Sequence, residues 1–518
     1  MHPRASIYSG AAGGRLNGDW LMSRLSADQA MRADLQTLRN RARDLVINNS
    51  SASAIPSIFC ENVIGPKGIR LQPMIGTVKN VDTLHSTINT RISDAWGEWC
   101  EDGNCTADGR GAFIDFQNLT VANEAVDGEI LIRHLRGFGN KWGYAVELID
   151  PDQLDHFYNV VGGPGQNQIR MGVEQDSWGR PVAYHLWTAH PSEPQGRVRV
   201  RVPAEQITHV YVMRRPRQSR GVTMFAPFVF DLKMLGGYRE AELVAARASS
   251  AKMGFIQTGE DGPPLEADTD DGQKAIHWQA EPGSIEQLPA GMKFQEWDPK
   301  HPTTAFDAFD KSCMRSISTS ARVSYMALSG DLQGTSYGSG RIGLLNEQAV
   351  FEAMQNRHVR RIDTPIYRAW LAESLLSGAL TLGSFEPRRF WEVKWHPKPM
   401  PWIDPSNDMQ MREKSVGMGI DTLTRITAEN GRDYQEVILE REREIEFAKL
   451  HNVPLILSTG KSDKPVNVDT EAQEEADDAG PAEPAEPADG TEPAPTTPKP
   501  TKPAKKAAGA SHEGSHGS

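Results

Sequence analysis

Two amphipathic helical segments, separated by a long stretch without helical spacing, constrain this chain more than any other feature. The first begins at Pro227, because a proline is tolerated in the first helical turn, and it ends near Gly254. Its apolar stripe consists of Phe228, Leu232, Leu235 and Ala246. The second ends at Gly330 and repeats apolar residues at steps of three and four, at Phe306, Phe309, Cys313 and Ile317. Each segment spans on the order of 35 Å at 1.5 Å per residue.

The stretch between the two helices is rich in glycine, proline and acidic residues, and it contains short strand-like pieces such as AIHWQ and MKFQEW. An insertion of this length with its own strand pattern is more typical of a small folded unit than of a loop. The sequence therefore predicts a helix pair that carries a small module at its far end. An ordinary helical hairpin with a surface excursion is the alternative.

Length and composition exclude several classes of protein. The chain has 518 residues, too many for one hydrophobic core, which predicts about two to four domains. It has no apolar run of about 18 residues and no apolar segment near its first residues, so we expect neither a membrane helix nor a signal peptide. The four cysteines are expected to be free thiols in a reducing cytoplasm, because they are too few for a disulfide framework in a chain of this length. A zinc site is not expected, because Cys100 and Cys105 form a lone C-x4-C pair without a second pair of ligands.

The charge distribution argues against a basic nucleic-acid platform. The net charge is −12, and the residues from Lys461 onward contribute 12 acidic residues and 6 lysines to it. No domain is strongly basic. Any contact with DNA is therefore expected to be weak and nonspecific, or made by local arginines.

The first half of the chain changes from a helical to a strand period. Residues 1–25 are predicted to be a flexible arm, and a helix capped by Ser26 follows. Its apolar side carries Leu35, Leu38, Ala42 and Leu45, and its other side, expected to face solvent, carries Arg39, Arg41 and Arg43. Helical spacing also predicts a helix over FIDFQNLTVANEAVDGEILIRHLRGFG, and the alternating segments after it predict an antiparallel meander.

The second half is predicted to be mostly helical. A glycine- and serine-rich loop, SGDLQGTSYGSGR, leads into a long helix in which Ile362, Ile366 and Trp370 share one face. Pro365 predicts a kink near Arg361 to Thr364. A strand at FWEVKWHP and a helical block from Pro405 to Asn452 follow, and the proline-, alanine- and glutamate-rich tail is predicted to be disordered.

Gly334, Ser336 and Gly338 match the G-x-S-x-G nucleophile elbow, which requires a buried strand before the serine. The preceding residues MALSGDLQ do not have a strand pattern, so a mobile loop is favoured over a serine hydrolase centred on Ser336.

Other catalytic and ligand-binding motifs are incomplete or absent. The segment STGKSDK resembles the end of a Walker A loop, but Leu455 stands where that loop needs glycine. The sequence contains no HExxH, dinucleotide-binding or EF-hand pattern. His185, His209 and His396 fall in predicted strands, where structural roles are the default. We therefore predict no enzyme activity, no cofactor and no metal.

Six segments, taken in order, resemble the lambda-type family of tailed-bacteriophage portal proteins. The resemblance covers roughly residues 26–452, and its segments are RARDLVINNSSASAIPSIFCENVIGPKGIRLQP, GRPVAYHLW, APFVFDLKMLGGYREAELVAARASSA, MKFQEWDPKHPTTAFDAFDKSCMRSIS, SYMALSGDLQGTSYGSGR and PMPWIDPSNDMQMREKSVGMGIDTLTRITAENGRDYQEVILER. The chain departs from the family in Gly338 and Gly340 of the loop and in its long tail.

The resemblance implies an α+β, portal-type subunit that forms a ring of twelve copies. It implies the following parts: a flexible arm (1–25), a wing of helices and antiparallel strands (26–226), a first stem helix (227–253), a clip (254–302), a second stem helix (303–328), a tunnel-type loop (329–340), a long kinked helix with a wing strand (341–404), crown helices (405–457) and a disordered tail (458–518).

The implied function is a channel at one capsid vertex for packaging and ejecting double-stranded DNA. The implied partners are other copies of the chain, terminase, head completion or connector proteins, and the major capsid and scaffold proteins, in the virion and, during assembly, in the host cytoplasm. Gln333, Thr335, Ser336 and Tyr337 are expected to line the narrowest point, because an uncharged loop contacts DNA without holding its phosphates. A loop that only connects two helices at a subunit interface is the alternative for this segment, and a DNA-binding protein is the alternative for the whole chain.

Overall fold

A computed structural model describes residues 24–75, 83–163, 165–194, 196–250, 254–258, 292–296, 306–333, 336–400, 405–429 and 434–451. The chain divides into two compact units, Met1–Glu440 and Arg441–Ser518, and the elements below lie in the first unit except for the end of the last helix. Helices and strands are mixed, as predicted. In the part of the chain that the structure describes, no helix combines the length and the apolar character needed to cross a membrane.

The N-terminal helices are shorter than the sequence pattern suggests. Helix α1 (Ala27–Arg32) is capped by Ser26 through a reciprocal pair with Gln29, which confirms the predicted cap. The chain turns at Ala33 and Asp34 before α2 (Leu35–Asn48), so the predicted single helix is two. Asn49 caps α3 (Ser50–Phe59), which continues as a π-helical turn, Cys60–Ile64, and leads to strand β1 (Arg70–Pro73).

Helices α4 (Thr83–Cys100) and α5 (Phe113–Val126) precede the strands. The prediction that α5 continues through EILIRHLR is wrong, because residues 129–136 form β2 (Glu129–Arg136). Gly128 ends the helix with a φ of 85°, and a Cβ there would lie 2.2 Å from the backbone of Val222. Glycine is therefore required at this turn, and the spacing of apolar residues beyond it did not reveal the break.

Two antiparallel sheets form the predicted meander. The first has the order β3–β2–β8, from strands β2, β3 (Tyr144–Ile149) and β8 (Ile207–Tyr211). The second has the order β4–β5–β6–β7, from β4 (Gln168–Arg170), β5 (Val173–Gln175), β6 (Pro181–Trp187) and β7 (Arg199–Pro203).

The two central helices are present, with a strand pair between them. Helix α6 (Val229–Ser250) is followed by β9 (Gly254–Thr258), which pairs antiparallel with β10 (Met292–Glu296) before α7 (Phe306–Ala321). Strand β10 lies in the predicted MKFQEW piece, β9 was not predicted, and AIHWQ lies outside the described residues.

The second central helix does not run unbroken to Gly330, as the pattern suggested. Arg322 adopts a left-handed conformation with a φ of 58°, which ends α7. Ser324 then caps a separate short helix, α8 (Tyr325–Ser329), by accepting a hydrogen bond from the Ala327 N–H.

The long C-terminal helix changes to a π-helical turn at the place where Pro365 predicted a kink. It consists of α9 (Tyr337–His358), a π-helical turn (Val359–Asp363) and α10 (Thr364–Leu376). Strand β11 (Val393–His396) pairs with β1, and three helices follow: α11 (Pro405–Gly417), α12 (Leu423–Glu429) and α13 (Tyr434–Leu450).

Two large apolar clusters hold these elements together. One joins the central helices to α2, α3 and α5 and buries Phe228, Leu232 and Ile317 completely or nearly so. The other is aromatic: Trp96 packs 4.9 Å from Trp99 and 5.0 Å from Trp370, measured between ring centroids. Ile362, Ile366 and Trp370 are all fully buried in this second cluster, which confirms the face predicted for the long helix.

Candidate functional site

The segment that carries the predicted channel residues lies between α8 and α9. Gly330 ends α8 in the left-handed conformation, with a φ of 68°, and its N–H donates to the Met326 carbonyl at 2.9 Å. This geometry turns the chain out of α8 within one residue, and Leu332 beyond it is 71% exposed.

The carboxylate of Asp331 holds the first residues of the loop against α7 and α8. Its carboxylate accepts hydrogen bonds from the Gln333 N–H at 2.9 Å and from the Tyr325 hydroxyl at 3.1 Å, and Lys311 Nζ lies 3.5 Å away. The Gln333 N–H and then the Tyr325 hydroxyl hold the pKa of Asp331 below its ordinary value. The negative charge closest to the predicted channel residues is therefore already partnered inside the subunit.

The structure places the four predicted residues as follows. Gln333 is exposed, and Ser336 is the N-cap of α9. Tyr337 is the first helical residue, and its side chain and the whole of Thr335 lie outside the described residues. Residues 337–340, expected in the loop, form the first turn of α9 instead, because the Ser336 hydroxyl accepts a hydrogen bond from the Ser339 N–H at 3.3 Å.

Ser336 does not have the geometry of a nucleophile elbow. Helix α8 and a turn precede it instead of a strand, and its hydroxyl contacts the Ser339 hydroxyl at 3.0 Å as well as the Ser339 N–H. This is the arrangement of a helix cap, which explains why serine occurs here without any need for catalysis.

A cleft of about 400 Å³ lies between the middle of α6, the first half of α7, helix α8 and the start of α3, and Asp331 of the loop lines it. Arg239 of α6 forms a two-pronged ion pair with Asp310 of α7, at 2.6 and 2.8 Å. Lys311 pairs with Asp307 at 3.0 Å. The cleft is therefore lined by two cations and three carboxylates, counting Asp331 of the loop, and each of these charges has an ion-pair partner within the subunit.

Sequence reasoning missed a buried charge network between α2, β2 and the segment before α6, and the prediction of a solvated arginine face is wrong for Arg39. The guanidinium of Arg39 is 2% exposed and lies 2.7 Å from Glu129 and 2.5 Å from Asp152. Arg220 also donates to Glu129, at 2.9 Å from its Nε. The partners lie about ninety residues and more away in sequence, so no local pattern could have indicated them.

Glu129 is held ionised at the centre of this network. Burial alone would raise its pKa, but Arg220, the His209 hydrogen bond and Arg39 lower it well below the ordinary value. Burial in turn lowers the pKa of His209, whose Nε2 lies 3.1 Å from Glu129. The network joins α2, β2 and the segment that leads into α6.

Three groups, Asp150, Asp152 and His190, lie close enough to share a metal ion. The guanidinium of Arg43 forms ion pairs with both carboxylates, at 3.0 Å from Asp150 and 2.7 Å from Asp152. The arrangement is an ion-pair network, because a cation is already bound by these oxygens.

The cysteines are free thiols, and Cys60, Cys100 and Cys105 are not activated as nucleophiles. Burial raises the pKa of Cys60 to about 11 and that of Cys105 to about 12, and it raises the pKa of Cys100 as well. Neutral thiols at these three positions are poor nucleophiles and poor metal ligands.

Comparison with known proteins gives consistent results. Residues 13–355 match the family described as "Phage portal protein, lambda family". The chain is 32% identical over 453 residues to the "Probable portal protein" of Halomonas phage phiHAP-1, covering 85% of this chain and 86% of that protein. It is 23% identical over 479 residues to the "Portal protein" of Escherichia phage N15, covering 84% and 88%. Among solved structures, a chain from the neck of a native gene transfer agent particle, computed with C12 symmetry, aligns with a TM-score of 0.42 at 11% identity, covering 77% of this chain and 93% of that one.

Proposed function

Because the chain belongs to the lambda family of phage portal proteins, we propose that twelve copies form a closed ring at one capsid vertex, and that double-stranded DNA passes through its centre during packaging and ejection. The family match over residues 13–355 carries this proposal. The absence of a nucleophile geometry at Ser336 agrees with a structural role rather than a catalytic one.

The two central helices are the stem in this proposal. Helices α6 and α7 are tied together by the Arg239–Asp310 ion pair and by Tyr238, whose ring lies 5.4 Å from that of Phe309. The antiparallel pair β9–β10 joins their ends and forms the base of the clip, residues 254–302. The helices between residues 405 and 457 are the crown, and the sheets with α1–α5 are the wing.

The clip docks the terminase during packaging and the head completion proteins afterwards. The position of its described strands supports this role, since β9 follows the end of α6 and β10 precedes α7, whereas the apolar cluster packs around the opposite ends of these two helices. The wing contacts the major capsid and scaffold proteins. The protein is a component of the virion and is assembled in the host cytoplasm.

The loop between α8 and α9 approaches the DNA, and Gln333, Thr335, Ser336 and Tyr337 line the narrowest point. Two features support this assignment. Leu332 and Gln333 are exposed, and the nearest carboxylate, that of Asp331, is engaged by Lys311 and Tyr325. Uncharged contacts suit a moving cargo, because each lysine or arginine paired with a phosphate would add salt-dependent affinity and hold the DNA still.

Particles assembled without this chain test the function directly. We expect capsids that contain no nuclease-resistant DNA, and we expect the wild-type chain supplied in trans to restore filling. DNA-filled, tail-competent particles formed in the absence of the chain would show that it is not the packaging channel.

A further inference from the structure

Strand β7 forms one edge of the four-stranded sheet. In the part of the chain that the structure describes, β6 is its neighbour on one side and no strand pairs with its other side. The far edge of the sheet is different, because Val160 of the preceding segment bridges Ile169 of β4. A free strand edge presents unpaired N–H and C=O groups to an extended segment that approaches it. The sheet can therefore be extended at β7.

The register shows which groups of β7 face this open edge. The Thr188 N–H donates to the Val198 carbonyl at 3.0 Å, so the backbone of Val198 points towards β6. Because the orientation alternates along an antiparallel ladder, the N–H and C=O groups of Arg199 and Arg201 point away from β6. Pro203 is in the same phase as these arginines, and a proline is tolerated in a strand where its missing N–H would face no neighbour. The open edge therefore offers the N–H and C=O groups of both arginines to a partner.

The apolar side of β7 is incompletely covered. Leu186 of β6 is 5% exposed, whereas Val200, which lies opposite it on β7, is 41% exposed. Val198, on the same side, is 64% exposed, and Val202 at the other end is 4% exposed. An apolar row that is buried on the inner strand and exposed on the outer one is typical of a sheet that lacks its next strand. A further strand beside β7 would cover Val198 and Val200.

The opposite side of β7 carries arginine at every second position, at Arg197, Arg199 and Arg201. Contacts within the subunit hold these side chains over the sheet. The Arg199 guanidinium lies 4.0 Å from the centroid of the Tyr158 ring, and Arg201 donates to Glu174 at 2.7 and 3.0 Å. The side chains of Arg199 and Arg201 are still 34% and 49% exposed. A row of cations is therefore accessible beside the open edge.

This row contains more cations than carboxylate partners. Asp155 and Glu174 each pair with one arginine of the row, at 2.9 and 2.7 Å. The third arginine, Arg197, donates to the Pro191 carbonyl instead. The row therefore keeps a net positive charge, which favours an acidic partner.

We propose that β7 accepts an extended segment of another protein as a fifth strand, and that this segment alternates acidic residues with small apolar residues. Successive side chains of a strand point to opposite faces, so the acidic residues lie over the arginine row and the apolar ones cover Val198 and Val200. Main-chain hydrogen bonds to Arg199 and Arg201 provide affinity, and the alternating side chains provide specificity. This inference does not rest on the proposed ring.

The charges of β7 argue against two other occupants. Pairing of β7 with β7 of a second copy would place arginines opposite arginines, and like charges directly opposite one another destabilise a strand pair. Nucleic acid fits poorly, because the outward carbonyl oxygens of Arg199 and Arg201 would repel phosphates. An acidic, extended peptide satisfies both the main-chain groups and the side chains.

A labelled peptide tests the pairing. The probe is fluorescein-labelled GSDVEVDVSG, and the control is GSDEDVVVSG, which has the same composition and charge without the alternation. Fluorescence anisotropy with the full chain, at about 0.15 M salt, is expected to show saturable binding of the probe that is about tenfold tighter than that of the control. No saturable binding of the probe up to about 1 mM, or equal binding of the control, would overturn the proposal.

Two substitutions of Arg201 separate the main chain from the side chain. Arg201→Pro and Arg201→Ala both remove the guanidinium, but only proline also removes the N–H that points to the open edge. We expect the probe to bind Arg201→Pro about tenfold more weakly than Arg201→Ala, as for one lost main-chain hydrogen bond, with similar thermal denaturation midpoints for the two variants. Equal affinities would show that the probe does not add to the strand.

Hydrogen exchange of single amides tests the pairing in the unmodified chain. The Arg199 and Arg201 amides are expected to exchange rapidly in the chain alone and to be protected when the probe is bound, whereas the Val200 and Val202 amides are protected in both states. Arg199 and Arg201 amides that are already protected in the chain alone would show that the edge is occupied, and this would overturn the proposal.

Val198→Asp tests the apolar side without a proline. The side chain is exposed, so we expect the fold to be retained while the new carboxylate interrupts the apolar row and weakens binding of the probe about tenfold. Val161→Asp is the control, because Val161 is 95% exposed before β4, at the far edge of the sheet. Equal affinity of the two variants would place the probe away from β7.

Discussion

At the scale of single residues, we expect the buried arginines Arg39 and Arg220 to be more sensitive to mutation than the exposed residues of the predicted channel. Arg39 and Arg220 together neutralise Glu129, which is 0% exposed. Breaking a buried pair by removing one partner is costly because a charge is left without compensation. The wing is therefore expected to depend on charge pairs as much as on apolar packing.

Replacing Arg39 by Met removes one cation from Glu129 and Asp152, which keep Arg220 and Arg43, and we expect the free energy of unfolding to fall by about 1.5–3 kcal/mol, as for a lost hydrogen bond to a charged group. Arg41→Met is the control, because Arg41 lies two residues further along the same helix and is exposed. This variant should change the free energy of unfolding by less than about 0.5 kcal/mol. Urea denaturation of the two variants measures the difference. Equal losses would show that the network does not stabilise the fold.

His134 of β2 makes the stability of the subunit dependent on pH. Its ring nitrogens lie 2.6 Å from the Tyr144 hydroxyl and 2.8 Å from the Thr208 hydroxyl, and burial, assisted by Arg136, lowers its pKa from 6.5 to about 4. The folded state therefore keeps His134 neutral, whereas the unfolded chain protonates it below about pH 6.5. Its contribution is complete above pH 6.5 and is lost as the pH falls towards 4.

We expect this residue to account for about 2 kcal/mol of the stability lost between pH 7 and pH 5. Glutamine does not titrate in this range, so the free energy of unfolding of the His134→Gln variant should fall by about 2 kcal/mol less between pH 7 and pH 5 than that of the wild type. Denaturant midpoints at the two pH values provide the measurement. Identical pH dependence in the variant would mean that His134 is not kept neutral.

At the scale of elements, the sequence was most informative where one face of a helix is buried. Ile362, Ile366 and Trp370 could be identified from spacing, because burial against the aromatic cluster requires that period. Pro365 likewise located the π-helical turn before it. The glycine at Gly128 is a helix-stop signal that the apolar spacing on both sides of it obscured. The break at Arg322 could not be predicted, since arginine carries no preference for the left-handed conformation.

The composition of the chain predicted a loop after α8, but it did not predict the residue at which the loop ends and α9 begins. Glycine and serine predicted a flexible stretch up to Gly340, whereas the Ser336 cap starts α9 at Tyr337. A serine before helical residues is compatible with both a loop and a cap. The N3 residue here is Ser339 rather than the glutamate or glutamine that marks a capping box. The role of Arg39 depended on partners in other elements and left no local signal.

Ser336→Ala should remove the cap of α9 and lower the stability of the subunit by about 1 kcal/mol, while Ser336→Asp should retain it. Thermal denaturation of the three proteins tests this. Covalent labelling of Ser336 by a serine-reactive probe is not expected. Stoichiometric labelling that Ser336→Ala abolishes would support a hydrolase instead.

A cation placed at the loop tests whether Gln333 reaches the DNA. Gln333→Arg is expected to increase the affinity of the assembled ring for duplex DNA and to steepen its salt dependence by about 0.9 in log–log slope for each phosphate contacted. Gln206→Arg adds the same charge at an exposed position in the wing and serves as the control. Retardation assays over a range of salt concentrations give the slopes, and equal slopes for both variants would place Gln333 away from the DNA.

At the scale of the whole molecule, the distribution of apolar residues explains why the subunit should assemble. Apolar clusters fix the wing and the base of the central helices, whereas Phe230, Met234 and Phe309 are left more than half exposed. A second copy of the chain covers them in the ring that we propose. The acidic net charge of −12 agrees with a channel that does not hold its cargo through phosphate contacts.

The mass and symmetry of the purified protein, from native mass spectrometry together with negative-stain class averages, determine whether the chain forms the proposed ring. We expect a closed ring of twelve subunits around a central hole wide enough for duplex DNA. A protein that stays monomeric or dimeric at its highest soluble concentration, or an open assembly without a central hole, would contradict it.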